Sequence, residues 1–233
     1  GNIYLGDFGE GGSAEGISTW LITPEGETSV FVEGNGIQTA TGNAFDSEGN
    51  FYQASFAGDQ IVRVGVDGEI STYTSEGLRG PVGIAFDAED NLYVANCLNG
   101  SVRRISADGE SERLVLSGLF ACANGITLDD EGNVYVSNYR NGNVLIVTPD
   151  GEADFFAQLP GNNNAHILYH DGILYAASRG EHQVFTITLD GEVSLLAGTG
   201  ERGNDDGPAL EATFALPNDM ALSPDGSVLY IND

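Results

Sequence analysis

The chain has 233 residues, a hydrophobic fraction of 41%, 33 glycines and only 18% charged residues. That mixture argues against disorder and coiled coil and suits many short strands joined by tight turns. Its 35 acidic residues face 8 basic ones, all arginine, for a net charge of −27; such a surface repels phosphate backbones and anionic lipid, so no nucleic acid and no membrane surface is an expected partner.

No apolar run approaches the roughly 18 residues that a membrane span needs. The charge also favours solubility, cation attraction and tolerance of high salt.

Taken in chain order, the predicted elements repeat. NIYLGD (Asn2 to Asp7) opens the chain, and its tyrosine, Tyr4, returns as Tyr52 in FYQAS, Tyr93 in LYVAN, Tyr135 in VYVSN, Tyr175 in LYAAS and Tyr230 in VLYIND. The spacings from Tyr52 through Tyr175 are 41, 42 and 40 residues. Each such strand is followed by another that ends on a turn glycine, at Gly26, Gly68, Gly109, Gly151 and Gly191. Segments such as DSEGN and DDEGN precede the tyrosine strands and supply the Gly and Asn that tight hairpins accept.

The unit therefore reads as four antiparallel strands joined by hairpins, which is one blade of an all-β propeller. Over residues 1–233 the pattern predicts a single domain with blades near 1–40, 41–80, 81–122, 123–163 and 164–216, and a partial one at 217–233. Five first strands, six second, five third and five fourth strands make 21. This falls short of six full blades and exceeds five. The expectation is a six-bladed propeller incomplete at both termini, with a five-bladed closure as the lesser alternative. Gly1 in place of methionine, without a signal-peptide pattern, leads to the expectation of a processed or truncated N-terminus.

The stretch LLAGTGERGNDDGPALEATFALPNDMALSPDGSVLYIND (Leu195 to Asp233) resembles the bacterial NHL-repeat signature, and PNDMALSPDG within it is similar to a segment of SMP-30/gluconolactonase-like β-propellers. The GIAFD and GITLD strands (Gly83 to Asp87, Gly125 to Asp129) fit both groups. The resemblance covers nearly the whole chain as a fold. It is far less specific for activity, since such folds host lactonases, lyases, sensors and binding modules.

In such a propeller the first strand of each blade lines a central channel. Its entry residues are Thr41/Gly42, Val82/Gly83, Asn124/Gly125, Ala165/His166 and Asn218/Asp219. The resemblance implies a channel cation held by a glutamate, an asparagine in an N-G motif and an aspartate in a P-D-G motif. Asn124 and Asn218 match the asparagine motif; the glutamate and aspartate would fall outside the sequence. Asn124, Asn218, Asp219 and His166 are thus the candidate metal ligands, for a divalent cation with Ca²⁺ expected. The competing reading is that they cap strand ends and bind channel water.

His166 and His170 lie about 13 Å apart along one strand and cannot share a metal; His170 reads as a turn residue. Asn96, Asn138 and His182 are candidate ligand-binding residues on the same face, although the ring of short polar residues that closes the second strands usually bonds loop backbone. The D-x-E-G-N turns lack the spacing of calcium loops. Cys97 and Cys122 are a candidate disulfide, which would imply an oxidising, extracellular or periplasmic compartment.

No nucleophile elbow, P-loop, H-E-x-x-H or C-x-x-C is present, so no catalytic residue is assigned. Three functions follow: a metal-dependent lactonase-type hydrolase at the channel mouth, a non-catalytic module binding a small molecule, glycan or protein segment, and a propeller lyase needing channel histidines.

Overall fold

The structure, a computed structural model, describes residues 1–9 and 15–233. Among the described residues there are 21 strands and no helix, so no helix is long and apolar enough to cross a membrane. The chain divides into two compact units, Gly1–Leu116 and Ser117–Asp233.

The first unit holds three antiparallel sheets in simple up-and-down order. They are β1 (Ile3–Gly6), β2 (Ser18–Ile22) and β3 (Thr28–Glu33); β4 (Ala40–Phe45), β5 (Phe51–Ser55), β6 (Gln60–Val64) and β7 (Ile70–Thr74); and β8 (Pro81–Phe86), β9 (Leu92–Asn96), β10 (Ser101–Ile105) and β11 (Ser111–Leu116). The second unit repeats the plan. Its sheets are β12 (Ala123–Leu128), β13 (Val134–Asn138), β14 (Asn143–Val147) and β15 (Ala153–Gln158); β16 (Asn164–His170), β17 (Ile173–Ser178), β18 (Gln183–Thr188) and β19 (Val193–Ala197); and the pair β20 (Asp219–Leu222) and β21 (Leu229–Asn232).

This corrects the expected six blades. Five sheets have three or four strands and count as blades; β20–β21 is a two-stranded hairpin. The six tyrosine strands suggested six blades because each blade owns one such strand, but the sixth, β21, pairs only with β20 among the described residues.

The tyrosine strands are buried on both faces because sheets stack face to face. Every residue of β5, β9 and β13 is buried, whereas the fourth strands are largely exposed. Phe51, Ile61, Leu92 and Ile105 fill the first unit's core, and Leu145, Leu159, Ile167 and Ile187 that of the second. Each such side chain contributes about 1.5–3 kcal/mol on burial.

Two local devices shape the inner strands. β4, β8, β12 and β16 are each entered through a left-handed residue, namely Thr39, Gly80, Cys122 and Asn163 with φ of 58°, 56°, 61° and 60°. Register against the next strand then slips between Ala40 and Asn43, Pro81 and Ile84, Ala123 and Ile126, and Asn164 and Ile167. The two skipped residues in each case are the entry positions identified in the sequence. A bulge frees a residue from the ladder and re-aims its side chain.

Candidate functional site

The bulged position is glycine in three inner strands, and for two of them the reason is crowding. A Cβ on Gly42 would stand 2.6 Å from the Val82 carbonyl oxygen, and one on Gly125 2.6 Å from the Ile167 amide nitrogen. In β16 and β20 the aligned residues are His166 and Asp219, and their side chains meet: Nδ1 of His166 lies 2.5 Å from Oδ1 of Asp219.

Backbone contacts fix the pair. The His166 amide donates to the Asn218 carbonyl at 3.0 Å, and the Asn218 amide to the Asn232 carbonyl at 3.0 Å. The Asp219 amide donates to Oδ1 of Asn232 at 2.6 Å, while the Asp219 carboxylate accepts from the Met220 amide at 2.8 Å. Burial pushes the His166 pKa down, but the facing Asp219 carboxylate outweighs it and holds it above the ordinary histidine value. Burial raises Asp219, and His166 with the Met220 amide outweighs that, leaving it below the ordinary carboxylate value. Each partner thus favours the charged form of the other.

With Nδ1–H given to the carboxylate, Nε2 carries the lone pair of the neutral ring. The side chains are 22% and 33% exposed, so the pair can be reached from solvent. Its chemistry is that of an oriented base: a histidine held in one tautomer by a carboxylate.

Of the four expected metal ligands, the structure brings His166 and Asp219 together as a pair. Among the described residues no group of three His, Cys, Asp or Glu side chains could hold a metal. Asp219 is the one carboxylate of the four candidates, and its Oδ1 already holds His166 and the Met220 amide. A hard cation such as Ca²⁺ takes about six to eight oxygens, several of them carboxylate. Asn218, which is exposed, and Asn124, half-buried on β12, bring only amide oxygens. The four side chains thus bring one carboxylate between them.

The candidate ligand-binding asparagines at the ends of the second strands bond loop backbone. Asn96 and Asn138 are fully buried. Asn96 Oδ1 accepts from the Arg79 amide at 2.8 Å. Asn138 accepts from the Ala121 amide at 3.0 Å and donates to the Leu119 carbonyl at 2.8 Å. Both clasp the loop that leads into their own sheet, as do Ser55 on the Gln38 amide and Asp233 on the Ala215 and Leu216 amides. His182 lies in the β17–β18 turn with φ of 56° and its Nδ1 buried without a partner. Cys97 and Cys122 are both disulfide-bonded. In the D-x-E-G-N turns, Asp46 and Asp129 accept from the turn's own amides and from Tyr52 and Tyr135 hydroxyls.

One residue escaped the sequence reading. Asn164 is fully buried two residues before His166, and neither of its amide atoms has a partner. The signal was available: the aligned residues are Ala40, Pro81, Ala123 and Pro217, and asparagine stands alone among them.

No family model and no curated protein matches the chain. Solved structures do. A nidogen/laminin complex contains a chain 18% identical with a TM-score of 0.79, matched over 100% of this chain and 86% of that one. The chain is a β-propeller.

A catalytically inactive histidine-to-alanine variant of virginiamycin B lyase from Staphylococcus aureus, solved with quinupristin, is similar at 17% identity and a TM-score of 0.73 over 100% of this propeller and 73% of that chain. A gluconolactonase from Xanthomonas campestris is similar at 17% identity and a TM-score of 0.73 over 93% and 75%. Its structural neighbours thus include SMP-30/gluconolactonase-like, lyase and protein-binding propellers, and at such identities the likeness carries the fold alone.

Proposed function

We propose that this propeller is a lactonase-type hydrolase whose general base is His166, oriented by Asp219. The observation that carries the reading is the 2.5 Å contact between Nδ1 of His166, in the β16 bulge, and Oδ1 of Asp219, at the start of β20. Nε2 takes a proton from a water as the water oxygen bonds to the lactone carbonyl carbon. The ring C–O bond then breaks, and the leaving alkoxide takes the proton back from the imidazolium, giving a hydroxy acid. Asn218, exposed beside the pair, is the candidate donor to the carbonyl oxygen. The gluconolactonase among the neighbours supports the substrate class. The disulfide-bonded cysteines support an extracellular or periplasmic location.

A second reading is elimination by the same base. It is favoured by the histidine-to-alanine variant of virginiamycin B lyase described as catalytically inactive. Titrating acid release from a panel of aldonolactones, with product masses, separates the two. Hydrolysis adds one water to the substrate mass, and elimination adds none. Turnover that is unchanged in His166→Ala contradicts both, and saturable ligand binding without turnover leaves a binding module.

A further inference from the structure

A second site lies in the first unit, at the opposite end of its strands from the entry positions. A cavity of about 370 Å³ opens between the β4–β7 and β8–β11 sheets, within the size range of small-ligand pockets. Its centre is Arg63.

Cross-strand register makes this arginine unusual. In the β8–β11 sheet, Tyr93 pairs with Arg104 and Arg104 with Glu112, and the guanidinium lies 3.8 Å from the Glu112 carboxylate. In the β4–β7 sheet the same row reads Tyr52, Arg63 and Ser71. Serine replaces the acid, and among the described residues no carboxylate lies within ion-pair distance of Arg63. Arg63 is the cross-strand partner of Tyr52, whose hydroxyl donates to Asp46 Oδ2 at 3.0 Å. Arg63 shares the cavity lining with Tyr52, Tyr73 and Phe86, and the rings of Tyr73 and Phe86 each sit edge-on to Tyr52 at 4.9 Å.

The rim is acidic but partly committed. Asp90 accepts from the Ser47 amide and hydroxyl, and Asp108 from the Ser106 hydroxyl. Glu48 is exposed. One guanidinium against Asp46, Glu48, Asp90 and Asp108 disfavours an anion. A plain cation would leave the guanidinium without an acceptor. A ligand that satisfies both sides offers hydroxyls that accept from Arg63 and donate to the carboxylates, with an apolar face for the rings.

We propose that this cavity binds a neutral sugar, with Arg63 as its main hydrogen-bond donor, independently of the His166–Asp219 site.

Saturation-transfer NMR with D-glucose, D-galactose, D-mannose, cellobiose and lactose tests it, with putrescine and glycine as charged probes. At least one sugar receives saturation from the wild type and from His166→Ala. In Ser71→Glu, which installs the acid found opposite Arg104 and closes an ion pair on Arg63, that sugar binds at least tenfold more weakly. Arg63→Gln behaves likewise, and thermal melts confirm that both variants are folded. No response from any of the five sugars overturns the proposal. So does a sugar response equal in wild type, Ser71→Glu and Arg63→Gln, or binding of putrescine or glycine with no sugar binding.

Discussion

In β4 and β8 the two bulged residues are Thr41–Gly42 and Val82–Gly83; in β16 they are Ala165–His166, and the aligned pair opening β20 is Asn218–Asp219. The backbone device recurs and the chemistry does not. Where glycine stands, at Gly42, the neighbouring strand approaches so closely that a Cβ would meet a backbone oxygen at 2.6 Å. In β16 the freed position carries His166, whose side chain binds that of Asp219 at the start of β20. A bulge kept for packing in β4 and β12 has become in β16 a mount for an ionisable group.

The largest effect that would break this contrast is on turnover. His166→Ala lowers kcat/KM for a hydrolysed lactone by about 10²–10⁴, the usual contribution of a positioned base, while the melting curve stays cooperative. Next comes packing. Gly42→Ala destabilises the protein in denaturant melts by about 1–3 kcal/mol through overpacking. An unchanged midpoint would mean that the glycine is not demanded by the close approach to Val82.

The clasps at the strand ends give a smaller, graded contrast. Asn138→Ala removes two hydrogen bonds and strands a backbone donor and acceptor, at about 1–3 kcal/mol. Asn96→Ala removes one and also deletes an amide nitrogen that already lacks a partner. Its loss in the same denaturant melts is therefore the smaller of the two.

The smallest effect is a pH dependence of stability. His166 has a raised folded pKa, so its contribution is complete below the ordinary value near 6.5 and is lost as pH rises through the raised one. Asp219 has a lowered folded pKa, so its contribution is complete above 3.8 and is lost as pH falls through the lowered one. The pair stabilises most between those limits. Subtracting the melt profile of the double variant His166→Ala/Asp219→Ala from that of wild type isolates a dome over that window, and a flat difference would contradict it.

Much of this was legible in the sequence. The tyrosine spacing and the turn glycines mark all 21 strands, because each blade repeats one hairpin chemistry. The blade count was not legible, since a tyrosine strand looks the same in a four-stranded sheet as in the β20–β21 hairpin. His166 and Asp219 were both singled out, yet as metal ligands. Their pairing depends on β16 lying beside β20, which brings together residues 53 positions apart in the sequence. Asn96 and Asn138 read as available polar groups because a sequence does not say which strand ends are covered by their own loops. Arg63 gave no signal alone; only the cross-strand row shows that it faces Ser71 where Arg104 faces Glu112.

The most direct test of the dyad is the pH profile of kcat/KM for a hydrolysed lactone in wild type and Asp219→Asn. With the carboxylate in place, the rate rises with pH through an apparent pKa above 6.5, because the base works only when deprotonated and Asp219 holds its proton on. In Asp219→Asn that midpoint moves down and the plateau falls. A profile with the same midpoint and plateau in both proteins would contradict the pairing of His166 with Asp219 as the working centre of this propeller.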